Sequence, residues 1–272
     1  MEPRSRFIEA DGVKLHVADW GGGGPEVLLV HANGFLGRVY RELIRHLEDA
    51  YHVYTLDLRG QGDSDKPALR DSHWQDMAGD LAAVIAALGL QDFYGVGHSG
   101  GAALLAGYAA SHAGRVKGLA LLEPVTFPHG SGWPTGPWSN RPCGGVRCGT
   151  RADSCLTPTG QKPPLPAGKK PSCGITSTTA RPTCRTAPFG SSARSRSRPT
   201  SLPGLLLMSR VVCPAVVIRG EQTDPPLFAV AEKAARRLPQ GSLVTVPGTS
   251  HFLPMEKPAE VARIIRQSFS RG

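Results

Sequence analysis

Apolar and polar positions along the chain form a regular succession of short apolar runs and helical stripes. Apolar runs bounded by turn-forming residues predict β-strands at Phe7–Glu9, Leu15–Ala18, Glu26–His31, His52–Leu58, Asp92–Gly97, Val116–Leu122, Val211–Arg219 and Ser242–Val246. Apolar residues three to four positions apart predict helices at Val39–Leu47, Asp80–Leu90, Gly101–Ala110, Phe228–Leu238 and Pro258–Phe269. Repeated strand–helix units of this kind predict an α/β fold, with a mainly parallel, doubly wound central sheet and helices on both faces.

Residues 128–203 interrupt this pattern and differ from the rest of the chain in composition. The chain carries a net charge of +9, and this segment holds eleven basic residues and a single acid, Asp153. It also contains 13 of the 24 prolines and five of the six cysteines. The segment contains few large apolar residues, and their burial cannot offset the conformational entropy lost on ordering. The composition therefore predicts disorder. We therefore divide the chain into a core of residues 1–127 and 204–272 and an insert of residues 128–203.

Three interpretations of the insert remain open. The RSRSR run at Arg194–Arg198 is typical of polyanion-binding loops, although no aromatic residues are interleaved with it. A zinc or disulfide module would need paired cysteines, and the segment has no C-x-x-C motif and one histidine, His129. Abundant Arg, Pro, Gly, Ser, Thr and Cys with few acids is also typical of a GC-rich gene read out of frame. Because the core is close to neutral, we do not expect a nucleic-acid partner.

Several other functional classes are disfavoured by the sequence. The longest apolar run, Leu81–Leu88, is far shorter than a membrane span, so no membrane association is expected. Met1–Arg6 is not followed by the apolar region of a secretory signal, which together with unpaired cysteines predicts a cytoplasmic protein. A G-x-G-x-x-G spacing occurs at Gly95–Gly100, but it belongs to the strand-to-helix glycine cluster that is assigned another role below, and no P-loop is present. We therefore expect no cofactor and no metal. Cys213 is interpreted as a small buried apolar residue.

The strongest chemical signal is the G-x-S-x-G motif formed by Gly97 to Gly101. It lies directly between a predicted strand and a predicted helix, which is the context in which such a motif presents a nucleophile. A strand-to-helix turn strains the backbone at Ser99, and side chains two residues before and after it would collide. Glycines occupy both of those positions. The helix N-terminus that follows favours developing negative charge, so Ser99 is predicted to be a nucleophile.

A serine nucleophile needs a base within hydrogen-bonding distance and an acid that orients the base. His251 follows the last predicted strand, on a loop that can reach back over the carboxyl edge of the sheet. Asp224 follows the preceding strand and gives the chain order nucleophile, acid, base. We prefer Asp224 as the acid, while Glu123, at the end of the Val116–Leu122 strand, and Glu221 remain alternatives.

The loop His31-Ala32-Asn33-Gly34-Phe35 follows the predicted strand at the centre of the sheet. Backbone N–H groups of Asn33 and of Gly100 are predicted to face the oxyanion of a tetrahedral intermediate. Without the neighbouring serine motif, this loop would be an ordinary strand-to-helix turn.

These residues resemble a known family, the α/β-hydrolase fold. The stretches HANGF, LDLRGQGDSDKP, GVGHSGGAALL and LLEPV resemble the N-terminal half of such proteins, and CPAVVIRGEQTD and VPGTSHFLPMEKPAEV resemble their C-terminal end. The resemblance implies a triad of Ser99, Asp224 and His251, with oxyanion N–H groups from Gly100 and Asn33. It also implies that the loop after the fourth strand, LDLRGQGDSDKP, has a structural role.

The chain departs from the family pattern at two places. Ala32 stands where relatives commonly have glycine, which affects the geometry of the oxyanion loop. Residues 128–203 occupy the interval where relatives carry a helical cap, and they lack helical periodicity. A missing cap would weaken both water exclusion and substrate selection.

The function expected from these features is hydrolysis of a small carboxylic ester through an acyl-enzyme. A serine at the motif's centre, instead of an aspartate, argues against the dehalogenase and epoxide-hydrolase chemistry of similar family members. Serine-dependent C–C bond hydrolysis and cofactor-free perhydrolysis remain alternatives. A different class of alternative is an inactive hydrolase-like scaffold, or a defective product with a damaged cap. The sequence does not indicate an oligomeric state.

Overall fold

The fold is built around a single β-sheet. The computed structural model describes residues 2–67, 73–125 and 207–270. Within these residues eight strands form one sheet: β1 (Arg4–Ala10), β2 (Val13–Gly21), β3 (Glu26–Val30), β4 (His52–Leu56), β5 (Phe93–His98), β6 (Val116–Leu122), β7 (Ala215–Gly220) and β8 (Gly241–Val246).

The strand order is β1-β2-β4-β3-β5-β6-β7-β8. β1 pairs antiparallel with β2 across a turn at Asp11 and Gly12, and β2 pairs antiparallel with β4. Every pairing from β4 to β8 is parallel. The carboxyl ends of β3, β5, β6, β7 and β8 therefore meet at one edge of the sheet, where ligands of open α/β sheets bind. The predicted mainly parallel sheet is confirmed.

Helices cover both faces of the sheet. They are α1 (Arg41–Arg45), α2 (Trp74–Ala87), α3 (Gly100–Ser111), α4 (Pro225–Arg237), α5 (Leu253–Glu256) and α6 (Pro258–Phe269). Alternate residues of β3 point to opposite faces, so Leu28 and Val30 join one apolar core while Val27 and Leu29 join another. Residues of α2, α3 and α4 complete the first core, and residues of α1 and α6 complete the second. The predicted doubly wound arrangement is confirmed.

Three predicted elements differ by several residues or in type from those observed. The helix predicted at Asp80–Leu90 begins six residues earlier, at Trp74, and ends at Ala87. The helix predicted at Val39–Leu47 is a 3-10 turn at Gly37–Tyr40 followed by a five-residue α1. The strand predicted from Val211 begins only at Ala215, as β7, immediately after Pro214. Proline has no N–H to donate to a ladder, and the Val211 N–H instead donates to the Met208 carbonyl oxygen in a turn.

The predicted insert, residues 128–203, lies outside the described residues. β6 and β7, which flank it in the sequence, are adjacent parallel strands with Leu119 opposite Ala215. Among the described helices, none combines the length and apolar character needed to cross a membrane.

Candidate active site

Ser99 occupies the sharp turn between β5 and α3. Its backbone has φ 52° and ψ −111°, outside the regions favoured by L-residues. Four described non-glycine residues have positive φ: Asp11, Asp92, Ser99 and Glu123. Aspartates tolerate the left-handed region in turns, whereas Ser99 and Glu123 hold strain of the kind that clusters at functional sites.

The two glycines of the motif are required by close backbone packing. A Cβ atom on Gly97 would lie 2.5 Å from the Cα of Ala102. On Gly101, a Cβ would overlap the carbonyl oxygen of Val30, at the end of β3. The turn can therefore fold against α3 and β3 only when both positions lack side chains.

Backbone hydrogen bonds fix Ser99 against the end of β6. The Ser99 N–H donates to the carbonyl oxygen of Leu122 over 2.9 Å, and the Val125 N–H approaches the Ser99 carbonyl oxygen at 3.5 Å. Glu123 lies between these two partners, Leu122 and Val125, in the sequence. Backbone hydrogen bonds thus join the Ser99 turn to the segment that carries Glu123.

His251 and Glu123 face one another at this edge of the sheet. His251 Nδ1 lies 3.5 Å from Glu123 Oε2, and the side chain of Glu123 is fully buried. These two atoms are the buried side-chain nitrogen and oxygen atoms without a hydrogen-bond partner among the described residues. A pair of catalytic groups often has a long separation without substrate and closes when the substrate binds.

The other carboxylate oxygen of Glu123 is firmly held. Oε1 accepts hydrogen bonds from the Gly220 N–H at 2.6 Å and from the Thr223 hydroxyl at 2.5 Å. The Glu123 N–H donates to the carbonyl oxygen of Ile218 over 2.8 Å. These contacts leave Oε2 directed at the imidazole, which is how an acid orients a catalytic histidine.

Asp224, the preferred acid in the sequence analysis, lies elsewhere. It is exposed at the N-terminus of α4, where its carbonyl oxygen accepts hydrogen bonds from the N–H groups of Leu227 and Phe228. Glu221 is also exposed, and its Oε2 accepts a hydrogen bond from the Gly248 N–H over 2.9 Å. The ion pair of His251 is with Glu123, which the sequence had offered as the alternative.

The start of the loop after β3 packs closely against α3, because a Cβ on Gly101 would lie 2.7 Å from the carbonyl oxygen of His31. The Phe35 N–H donates to the Ala32 carbonyl oxygen over 3.0 Å, and the Gly34 N–H donates to Gln61 Oε1 over 2.5 Å. Asn33 is an exposed residue, and its N–H takes part in neither of these hydrogen bonds. Gly100 is the first residue of α3, where N–H groups have no partner within the helix.

A buried hydrogen-bonded chain that the sequence analysis missed connects these elements. The Ala32 N–H donates to the Tyr40 hydroxyl over 3.0 Å, and that hydroxyl donates to His98 Nδ1 over 2.7 Å. His98 Nε2 donates to the carbonyl oxygen of His251 over 2.8 Å. These hydrogen bonds link the loop after β3, His98 and the backbone of His251. No sequence signal marks Tyr40, because it reads as an ordinary apolar position.

One group of described side chains has the composition of a metal site. Ligand-type atoms of His16, Asp57 and Asp63 lie within 4.8 Å of one another. The carboxylate of Asp57 already accepts hydrogen bonds from His16 Nδ1, from the Gly37 N–H and from the Asp63 N–H. Because these bonds occupy the carboxylate of Asp57 and Nδ1 of His16, we assign no metal to the group.

Comparison with known proteins decides the family. A family model described as "Alpha/beta hydrolase family" matches residues 27–264. The chain belongs to the alpha/beta hydrolase family. The match covers β3 to α6 and therefore includes the Ser99 turn, Glu123 and His251.

Individual relatives of this α/β hydrolase have diverse activities. It is 37% identical over 124 residues to the dihydrolipoyllysine-residue acetyltransferase component of an acetoin cleaving system from Cupriavidus necator, covering 45% of this chain and 32% of that protein. It is 32% identical over 142 residues to epoxide hydrolase A of Mycobacterium tuberculosis, covering 51% of this chain and 44% of that protein. The chain thus spans less than half the length of either curated relative.

A solved structure has a similar fold. It is that of a serine hydrolase involved in carbazole degradation, with a TM-score of 0.67 and 16% identity over 99% of this chain and all of that one. At this identity the likeness shows the fold alone.

Proposed function

We propose that this α/β hydrolase cleaves small carboxylic esters through an acyl-enzyme on Ser99. In the proposed reaction, His251 Nε2 takes the hydroxyl proton while Ser99 Oγ attacks the ester carbon. The C–O bond to the alcohol then breaks, and the alcohol leaves with the proton held by His251. Water attacks the acyl carbon next and gives a proton to His251. The bond between the acyl carbon and Ser99 Oγ then breaks, His251 returns the proton to Oγ, and the carboxylic acid is released.

The observation that carries this proposal is the position of the His251–Glu123 pair beside a strained serine. A carboxylate opposite Nδ1 favours the tautomer with a proton on that atom. Nε2 is then free to accept the serine proton. Glu123 is therefore our proposed acid, because its Oε2 lies 3.5 Å from His251 Nδ1 while Asp224 is exposed at a helix N-terminus.

The proposed oxyanion donors are the N–H groups of Gly100 and Asn33. Gly100 begins α3, so its N–H also benefits from the positive end of the helix dipole. Ala32 is buried and is not among the described residues with positive φ. Its methyl group therefore causes no backbone strain, which supports a functional loop despite the departure from glycine.

The proposal is tested by labelling with a fluorophosphonate probe, followed by peptide mapping. The wild-type chain, Ser99→Ala and a control, Ser111→Ala, are compared, with circular dichroism confirming that each is folded. Ser111 lies in the same helix and is exposed, with its hydroxyl on the Gly107 carbonyl oxygen. We expect an adduct on Ser99 in the wild type and in Ser111→Ala.

A positive labelling result leads to a substrate screen. Nitrophenyl esters of increasing acyl length should show turnover in the wild type and in Ser111→Ala, and none in Ser99→Ala. A folded wild-type chain that carries no adduct on Ser99 would exclude the serine-hydrolase proposal and leave a hydrolase-like scaffold.

A further inference from the structure

A serine, a histidine and an aspartate that are joined by hydrogen bonds lie at the other edge of the sheet from β8. Ser5 Oγ is 3.0 Å from His16 Nε2, and His16 Nδ1 is 2.9 Å from Asp57 Oδ2. Ser5 is in the edge strand β1, His16 is in β2, and Asp57 directly follows β4. Both hydrogen bonds are shorter than the 3.5 Å separation of His251 and Glu123.

The partners of His16 determine where its proton lies. The carboxylate of Asp57 only accepts hydrogen bonds, so Nδ1 carries the proton. In the neutral imidazole Nε2 then accepts, and the Ser5 hydroxyl donates to it. This is the arrangement in which a histidine can take a proton from a serine hydroxyl.

The histidine and the aspartate are rigidly held and shielded from water. His16 is 1% exposed and Asp57 is 2% exposed. The His16 N–H donates to Ser64 Oγ over 2.8 Å, and the Asp57 N–H donates to the His16 carbonyl oxygen over 2.9 Å. Burial alone would raise the pKa of Asp57, but hydrogen bonds from His16 and from the Gly37 N–H lower it overall. Asp57 is therefore a carboxylate at neutral pH.

The serine itself is accessible, and an apolar surface adjoins it. Ser5 is exposed, and Phe7, two residues along the same face of β1, is 59% exposed. The Phe7 ring lies 5.3 Å from the His16 ring, measured between centroids. An aryl or short acyl group bound on Phe7 would be next to the Ser5 hydroxyl.

We propose that Ser5, His16 and Asp57 form a second nucleophilic site that accepts acyl groups from activated aryl esters. Ser5 Oγ attacks the ester carbonyl carbon, and its proton passes to His16 Nε2. A bond forms between Oγ and the acyl carbon, the bond to the aryl oxygen breaks, and the phenolate leaves. Because Ser5 lies within a strand and not at a helix N-terminus, the acyl-serine lacks that source of oxyanion stabilisation and accumulates as a long-lived adduct.

The test uses the full chain carrying Ser99→Ala, so that its outcome does not depend on the proposed function. This protein is treated with p-nitrophenyl acetate, and acetylation of each serine is followed by mass spectrometry. A Glu-specific protease is used, because Arg4 and Arg6 flank Ser5 and trypsin would release it in a dipeptide. The internal control is Ser242, an exposed serine in the other edge strand, β8, whose hydroxyl is 3.4 Å from the Ala215 carbonyl oxygen.

We expect Ser5 to be acetylated at least about tenfold faster than Ser242, because a positioned base typically contributes about 10²–10⁴ in rate. Replacing His16 by glutamine should bring the Ser5 rate down to that of Ser242. If His16→Gln does not fold, the ratio of the acetylation rates of Ser5 and Ser242 in the Ser99→Ala protein still tests the proposal. Equal acetylation of Ser5 and Ser242, or an unchanged Ser5 rate in a folded His16→Gln protein, would overturn the proposal.

Discussion

His98 Nε2 donates a hydrogen bond of 2.8 Å to the carbonyl oxygen of His251, 153 positions further along the chain. The His98 ring is fully buried, and its other nitrogen accepts from the hydroxyl of Tyr40. A protonated His98 would have a second N–H directed at that hydroxyl, whose proton already points towards the ring. Because Nε2 carries a proton in both forms of the ring, the contact that requires a neutral imidazole is the one with Tyr40.

The neutral state of His98 predicts a specific pH dependence of stability. Burial, and next the neighbouring His251, lower the pKa of His98 from 6.5 to about 3. Between these two pH values the unfolded chain binds a proton that the folded chain does not, so the free energy of unfolding falls as the pH falls. We expect His98 to contribute about 1.4 kcal/mol per pH unit to this decline. Urea unfolding at several pH values measures the slope.

The variant that checks this slope is His98→Gln, whose side chain does not titrate. Its free energy of unfolding should fall less steeply than that of the wild type, with a residual slope from the buried His31, whose pKa is also lowered by burial. His46→Gln, at an exposed histidine, serves as the control and should keep the wild-type slope. Identical slopes in the wild type and in His98→Gln would contradict the prediction.

Glu123 and Asp224 can be distinguished as acids by single amide substitutions. In Glu123→Gln the oxygen can still accept from the Gly220 N–H and Thr223, but the amide then directs an N–H₂ group at His251 Nδ1. That reverses the tautomer that catalysis needs, and we expect kcat to fall by about 10³–10⁴. Ester turnover and fluorophosphonate labelling rates measure the effect.

Asp224→Asn is the matched control for the acid assignment. Because Asp224 is exposed at the start of α4, the change should leave kcat within about twofold of the wild type, as expected for a surface substitution away from the site. A large loss of kcat in Asp224→Asn, together with an active Glu123→Gln, would instead support Asp224 as the acid, which is the residue preferred from chain order.

A buried ion pair outside the site should contribute strongly to stability. Asp80 in α2 accepts hydrogen bonds of 2.6 Å from Nε and from Nη2 of Arg59, and both side chains are buried. Asp80→Asn would remove a carboxylate that accepts two hydrogen bonds from this buried guanidinium, and breaking a buried ion pair typically costs about 3–5 kcal/mol. The exposed pair of Glu42 and Arg45 offers the comparison, and Glu42→Gln should cost at most about 0.5 kcal/mol. Urea unfolding that gave similar losses for both variants would refute this.

The fold was predictable because its signals are local. The Val116–Leu122 strand and the Pro258–Phe269 helix were predicted with the bounds that the structure has, since apolar periodicity ends where each element ends. Errors arose where backbone chemistry overrides periodicity, as at Pro214, which delays the start of β7. In Val39–Leu47 the apolar spacing is helical, but the α-helix covers only Arg41–Arg45 and follows a 3-10 turn.

The candidate site was less predictable because its geometry depends on contacts between distant parts of the chain. Ser99 could be found from a motif, since its strained turn demands glycines at fixed neighbouring positions. The choice between Glu123 and Asp224 depends on which strand end faces His251, and chain order alone cannot resolve that. The contact between Tyr40 and His98 depends on two residues 58 positions apart, for which a single sequence has no signal.

The glycines of α3 allow a last, paired prediction. A Cβ on Gly101 would overlap the carbonyl oxygen of Val30 and lie 2.7 Å from that of His31, so Gly101→Ala must push α3 away from β3. We expect a loss of about 1–3 kcal/mol in stability, as for other overpacked sites, and slower labelling of Ser99, because the oxyanion donors separate. In the same helix, a Cβ on Gly107 would meet only Trp74 among the residues that the structure describes, at 4.0 Å. Gly107→Ala should therefore stabilise the protein by about 0.5–1 kcal/mol and leave labelling unchanged. Urea unfolding and labelling rates on both variants check the pair, and a Gly101→Ala protein as stable and as reactive as Gly107→Ala would show that the turn does not need the close contact with β3.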